Sequence, residues 1–345
     1  MYGKANSAIS FTAATSLSAA LAGKQFLVVG GTGGVGRALA QAAAAAGGSV
    51  TVAGRTFRDA GASSIKFIAT DASSMKSSAK LGTEVEPVPD VRLCADCAPD
   101  PPSFCTKPFC AVCTARQHTA AHPPSLPPLS RASNPQVVIF TTGTCVGAAR
   151  QETAEGLETD MATSALSRLA TLNTLLPRLK PGARVFIWGM PGNGHSEKGH
   201  ETHLDDLNAT KHPWASGFGW PHMNTVAVNE AAVLSLAAAP ANKGRVAIFG
   251  CNPGLIAHSA LRDKVHGGGF LGSLIEGAMS LFTQSAAQYA ARMLPVMLGP
   301  GLDAHSGALI GPSATPILCA PIFQEKGKAD AVVADAQALI APLLK

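Results

Sequence analysis

Apolar and polar positions along this chain fall into short runs that alternate between two kinds. Phe26-Leu-Val-Val29 is a continuous apolar run, and Gly30-Gly-Thr-Gly-Gly-Val-Gly36 turns it into the helix-forming stretch 37–46, stopped by Gly47-Gly48. Similar β-branched runs follow at 49–54, 65–70, 137–141, 184–188 and 245–249, with amphipathic stretches at about 155–179 and 222–239 between the later ones. Wholly apolar strands alternating with helices predict a parallel sheet buried on both faces. The expected fold is α/β, a doubly wound Rossmann-type sheet in a single domain spanning 24–345, preceded by an N-terminal extension at 1–23. A last strand is predicted at 308–311 and a terminal helix at 328–341.

Residues 91–136 break this rhythm. They hold five of the eight cysteines and nine of the 24 prolines. A segment of this composition cannot build a core, and a loop that long argues against a simple element assignment. Cys94, Cys97, Cys110 and Cys113 form C-x2-C-x12-C-x2-C, a spacing that can supply four thiolates to zinc, with Cys105 between the pairs and His118 and His122 after them. Excising the segment joins Pro87-Val-Pro-Asp90 to Val137-Val-Ile-Phe140 at a normal crossover length. Its Val-Arg start can be encoded GTG CGT, its Pro-Gln end can finish in CAG, and its 46 codons keep the frame. A translated, retained intron is the favoured reading; a disordered insertion and a zinc site are the alternatives.

Composition narrows the partners. With 46% hydrophobic and 14% charged residues, a sizeable core is expected from the 345-residue chain. The net charge of +5 comes without a dense Lys/Arg run, which argues against nucleic acid. No uninterrupted apolar stretch of about eighteen residues predicts a membrane span. A cytoplasmic location is expected. The absence of acidic residues before Asp59, with Ala, Ser and Thr enriched at 5–22, leaves an organelle transit peptide as an alternative.

A strand, a glycine-rich turn and a helix together make a cradle for a dinucleotide. The glycines allow close backbone approach, and the amides of the first helical turn face the pyrophosphate. Gly30, Gly31, Thr32, Gly33, Gly34, Val35 and Gly36 are the candidate contacts. Arg55 ends the second strand, where an acid would hold the ribose of NAD and an Arg accommodates the 2′-phosphate of NADP. NADP is therefore expected over NAD, with Arg58 as a possible helper.

The order of these motifs resembles the short-chain dehydrogenase/reductase family over roughly residues 24–320. Val29–Gly36 is similar to the family's T-G-x-x-x-G-x-G, Thr141-Thr142-Gly143 stands where its N-A-G stands, and Asn252-Pro253-Gly254-Leu-Ile256 matches its P-G motif. The resemblance implies that Asp71 contacts adenine, that Thr142 and Gly143 border the cofactor, and that Pro253, Gly254 and Ile256 face the nicotinamide. It also implies a small-molecule carbonyl or alcohol substrate. A homodimer or homotetramer would form through the helices at 155–179 and 222–239.

The family's catalytic groups are missing from that frame. Family members use a Tyr as acid/base, a Lys that lowers its pKa, a Ser and a helical Asn. Here the tyrosines are Tyr2 and Tyr289, and neither is followed by Lys four residues later. Aligning Asn229-Glu-Ala-Ala-Val233 with the family's S-K-A-A-V puts Glu230 at the Lys and Val226 at the Tyr. Ser164 falls where the Asn belongs, and Trp188-Gly-Met-Pro-Gly192 offers no hydroxyl. His222, Asn224 and Glu230 are the substitute candidates, with His222 a plausible proton donor. A protein that binds a dinucleotide as a sensor or scaffold, without hydride chemistry, is the alternative.

Three further groups complete the reading. His195, His200, His203 and His212, with Glu197, Glu201, Asp205 and Asp206, crowd the stretch after the fifth strand; a solvated loop is expected there. Cys145, Cys251 and Cys319 read as packing residues. The Met- and Leu-rich stretch 270–298 suggests a hydrophobic substrate, with core packing as the competing reading.

Overall fold

The computed structural model describes residues 3–57, 59, 64–85, 136–145, 147–192, 202–217, 219–256 and 283–345. One eight-stranded sheet runs β3-β2-β1-β4-β5-β6-β7-β8. Its strands are β1 (Gln25–Val29), β2 (Ser49–Gly54), β3 (Lys66–Ala69), β4 (Val137–Phe140), β5 (Ala183–Trp188), β6 (Val246–Cys251), β7 (Leu309–Ile310) and β8 (Pro316–Ile317). All neighbours pair in parallel except β7 with β8. Strand order reverses between β1 and β4, and a doubly wound sheet binds its ligand at such a switch point, beyond the carboxyl ends of the strands.

Each strand divides its side chains between two cores. Leu27, Val29, Val185 and Ile187 enter one, Phe26, Val28, Phe186 and Trp188 the other. The second core is closed by α1 (Leu17–Leu21), α2 (Gly34–Ala45) and α6 (Ala286–Met297). The first is closed by four helices. These are α3 (Met75–Glu84), α4, α5 (Trp220–Ala238) and α7 (Lys328–Ile340). Helix α4 has three parts: Thr159–Met161, a π turn at Ala162–Leu166, and Ser167–Leu175.

Three features add detail to the expected plan. Residues expected as a separate N-terminal extension are strapped to the fold: Ala5 bridges Ile317, Leu318 N donates to Lys4 O, and Ala14 N donates to Pro295 O. Leu21 is fully buried. Gln136, assigned above to the Cys/Pro-rich segment, leads into β4, donating to Gln25 O and accepting from Arg184 N. The outer side of α5, assigned by resemblance to a partner copy, is packed by α7 of the same chain. Asn173 on α4 and Gln337 on α7 exchange two amide hydrogen bonds of 2.8 and 2.9 Å, and Ser235 donates to Asp330 at 2.6 Å.

Residues 91–135 lie outside the described residues, and with them Cys94, Cys97, Cys105, Cys110, Cys113, His118 and His122. The same holds for Tyr2, Arg58, His195, Glu197, His200 and Glu201. Within α6, Met293, Leu294 and Met297 are fully buried, so the apolar character of that part of 270–298 is core packing. Among the described residues no helix is long and apolar enough to cross a membrane.

Candidate active site

The glycine turn between β1 and α2 is built by close packing on one side and open space on the other. Gly30 has φ +88°, and a Cβ there would stand 2.5 Å from Thr142 N. A Cβ on Gly36 would stand 2.2 Å from Thr141 Oγ1. These contacts press the turn onto the end of β4. Around Gly33 and Gly34, by contrast, no atom lies within 4 Å of an added Cβ. Gly33 is the N-cap of α2 and supplies no side-chain cap. The first amides of α2 therefore border open space, which is what an anionic diphosphate needs. At the adjoining end of β4, Thr142 Oγ1 is buried without a hydrogen-bond partner, a donor that a bound ligand would satisfy. The residues present fit a dinucleotide.

At the end of β2, Thr32 packs over Gly54, whose Cβ would meet the Thr32 side chain at 2.9 Å. The next residue, Arg55, is exposed. Arg37 is already engaged: it forms a two-pronged pair with Asp59 at 2.8 and 2.6 Å. That bond is the main reason the Asp59 carboxyl sits below its usual range and the Arg37 guanidinium above its own. Asp71 accepts from the amide and hydroxyl of Ser73 at 2.9 and 2.7 Å, starting the turn before α3. After β6, Asn252 Oδ1 accepts from Gly254 N at 2.9 Å, shaping the Pro253-Gly254 turn, and Ile256 bridges Gln284.

The strand ends are joined by a buried polar relay that runs along α4. Thr144 N donates to Ser164 Oγ at 2.9 Å, Ser164 Oγ donates to Asp160 Oδ1 at 2.6 Å, and Asp160 Oδ2 faces His222 Nδ1 at 2.7 Å. Asp160 is fully buried and His222 nearly so. Burial pulls the imidazole pKa down, but the charge and hydrogen bond of Asp160, with a smaller contribution from Glu158, leave it above its ordinary value. Glu158 caps α4 through Asp160 N and Met161 N at 2.9 and 2.7 Å, and burial raises its carboxyl pKa despite those donors.

One turn further along the same helix, Arg168 lies buried beneath the ends of β4 and β5. It donates to Trp188 O, to Thr142 O and, at 2.8 Å, to Asn229 Oδ1. Burial lowers its pKa to about 9, opposed by the charge of Asp160. Asn229 also donates to Ser164 O at 2.8 Å, a carbonyl in the π turn. A fixed cation thus stands under the strand ends, delivered from α4.

Of the three substitute candidates, the structure brings only His222 into this relay. Glu230 is the clearest correction. On α5 the side chain aimed at the strand ends is Asn229. One residue on, turned by about 100°, Glu230 accepts from Gly192 N at 2.9 Å and Ala320 N at 2.6 Å. It ties the loop after β5 to the chain after β8. Asn224 clamps the backbone of His203, accepting from its N at 2.9 Å and donating to its O at 2.8 Å. Val226 is core. Tyr289 is fully buried, its phenol accepting from Trp188 Nε1 at 3.1 Å, and burial raises its pKa well above the ordinary value. Burial likewise raises the Cys251 and Cys319 thiols, and Cys145 is buried.

Asp160 and Arg168 are the residues the sequence reading missed. Their signal was available: Asp160, Ser164 and Arg168 recur every four positions, a polar stripe on a helix that otherwise packs in the core.

Comparison with known proteins gives the following. No family model matches the chain. An uncharacterized oxidoreductase of Saccharomyces cerevisiae is 30% identical over 302 residues, covering 85% of this chain and 81% of that protein. Among solved structures, an uncharacterized protein of Mycobacterium paratuberculosis superposes with a TM-score of 0.57 at 15% identity, covering 96% of both chains. A protein of Pseudomonas syringae assigned to the short chain dehydrogenases gives 0.52 at 16% identity, covering 87% of this chain and 98% of its own. BdcA in complex with NADPH gives 0.52 at 14% identity, covering 84% and 93%.

Proposed function

This chain belongs to the short-chain dehydrogenase/reductase family, and from that premise we propose that it is an NADP(H)-dependent oxidoreductase interconverting a carbonyl and an alcohol, with His222 carrying the proton. The observation that carries this reading is the relay Thr144–Ser164–Asp160–His222. It ties a titratable group above its usual pKa to the loop that follows β4.

The nicotinamide, when bound, supplies or takes the hydride. The chain's own residues do the rest. Main-chain amides of Gly33–Gly36 take the diphosphate, and Arg55 takes the 2′-phosphate. The exposed Arg55, together with an Asp59 already occupied by Arg37, supports NADP over NAD, as does the NADPH held by BdcA. Asp160 fixes the proton of His222 on Nδ1, so exchange with the substrate oxygen runs through Nε2. In the reducing direction, protonated His222 would give its Nε2 proton to the substrate oxygen, and in the oxidising direction Nε2 would take it back. Arg168 holds the carbonyls of Thr142 and Trp188, fixing the strand ends around the site, and keeps a positive charge beneath it.

A purely sensing role is not favoured: a proton donor with a buried orienting carboxylate is an arrangement that turnover requires and simple binding does not.

The test is turnover of NADPH with a panel of aldehydes and ketones, in the parent chain and His222→Gln. Loss of kcat by about 10²–10⁴-fold, with NADPH affinity retained, supports the assignment. Equal turnover in the two proteins removes His222 from the chemistry.

A further inference from the structure

We propose that His203, Asp205 and His212, on the connection between β5 and α5, form a binding site for a divalent first-row transition metal ion, zinc foremost. One ring nitrogen from each histidine and a carboxylate oxygen all lie within 4.8 Å of one another. Closing that triangle to bonds of ~2.1 Å takes rotation of the imidazole side chains, so that the in-plane lone pairs of the two rings converge on one ion. Two imidazoles and one carboxylate suit zinc and its neighbours in the first row, and three protein ligands leave a fourth position for water or another ligand.

The three side chains already meet one another in pairs. The two imidazole rings stack with centroids 4.0 Å apart and planes 20° from parallel. His212 Nε2 stands 3.1 Å from Asp205 Oδ2, and this hydrogen bond is the main cause holding the Asp205 carboxyl below its usual range. The site is open to solvent: Asp205 is exposed and both histidines are partly so.

The support around the ligands is fixed from three sides. Asn224 clamps both backbone groups of His203. Asp206 accepts from Thr210 N at 2.8 Å, Lys211 N at 2.6 Å and His212 N at 3.2 Å, setting the turn that presents His212. Trp220, the first residue of α5, stands edge-on to both rings at 5.0 and 5.8 Å. Such outer contacts orient ligands and raise affinity. None of the three ligands takes part in the His222 relay or the glycine turn.

Binding of Zn²⁺ by calorimetry, and of Co²⁺ by visible absorption and Trp fluorescence, tests the site. The protein is the full chain with Cys94, Cys97, Cys110 and Cys113 changed to Ser, so that those thiolates do not compete. The expected result is one ion per chain, ligand-field bands and quenching of Trp220. His212→Ala and His203→Ala abolish all three signals. Asp205→Asn, at an exposed position that leaves folding intact, weakens binding by at least about tenfold. Absence of saturable binding, or binding unchanged in the histidine variants with an unaltered thermal melt, overturns the proposal.

Discussion

Asp160→Asn isolates the electrostatic part of the site while keeping its shape. Asp160 is fully buried and serves two partners, Ser164 at 2.6 Å and His222 at 2.7 Å. In the parent protein, burial lowers the imidazole pKa and Asp160 more than offsets it. Asparagine removes the charge and leaves the burial, so the pKa of His222 falls below its ordinary value of about 6.5. A hydrogen bond to a charged group contributes about 1.5–3 kcal/mol, which corresponds to about 1–2 pH units. The alkaline limb of kcat for carbonyl reduction should therefore move down by that amount. Just above neutrality, kcat should drop by about 10–100-fold or more, with NADPH affinity unchanged. The same linkage acts on stability. Because the folded pKa of His222 is raised, its contribution is fully present below about pH 6.5 and is lost as pH rises through the folded value. The variant should therefore show a smaller loss of melting temperature between mildly acid and mildly alkaline buffer than the parent. Steady-state NADPH oxidation against pH is the assay. An unmoved alkaline limb with undiminished kcat would refute the reasoning.

Two other substitutions probe separate parts of the account. Arg55→Ala should weaken NADPH by about 10–100-fold, from the loss of one charge-assisted contact, and leave NADH unchanged; fluorescence titration with each nucleotide reads this, and equal losses would show that Arg55 does not choose between them. Glu230→Gln replaces one of the two acceptors under Gly192 N and Ala320 N with a donor. It should cost about 1.5–3 kcal/mol, seen as a fall of several degrees in melting temperature with nucleotide affinity retained; lost affinity without lost stability would place Glu230 in the site after all.

What could be read from the sequence follows from how locally each feature is encoded. β1, the glycine turn and α2 are contiguous, and each is written in its own residues, so Gly30 to Gly36 fell where the structure puts them. β8 spans two residues, Pro316 and Ile317, too few for an alternating pattern to register. The docking of residues 4–6 onto it depends on an edge the sequence does not announce. The relay was harder for the same reason. Asp160 and His222 are 62 positions apart, and only the crossing of α4 and α5 brings them together. The role of Glu230 could not be read because its two backbone donors, Gly192 N and Ala320 N, lie 38 and 90 positions away. Its apolar surroundings in the sequence gave no hint that two backbone amides awaited it. The packing of α7 on α5 likewise depends on a contact that neither helix announces in its own residues.

Calorimetry of NADPH binding to the parent protein and to Gly33→Asp tests the central claim most directly. Gly33 has extended backbone (φ −157°) with open space beyond, so Asp fits without strain. Its carboxylate would cap α2, adding on the order of a few tenths of a kcal/mol of stability, while placing negative charge where the diphosphate must lie. Heat of binding is expected in the parent and none in the variant, with a melting temperature for the variant no lower than the parent's. A folded parent that gives no heat with NADPH or NADH, or a variant that binds as tightly as the parent, would contradict it.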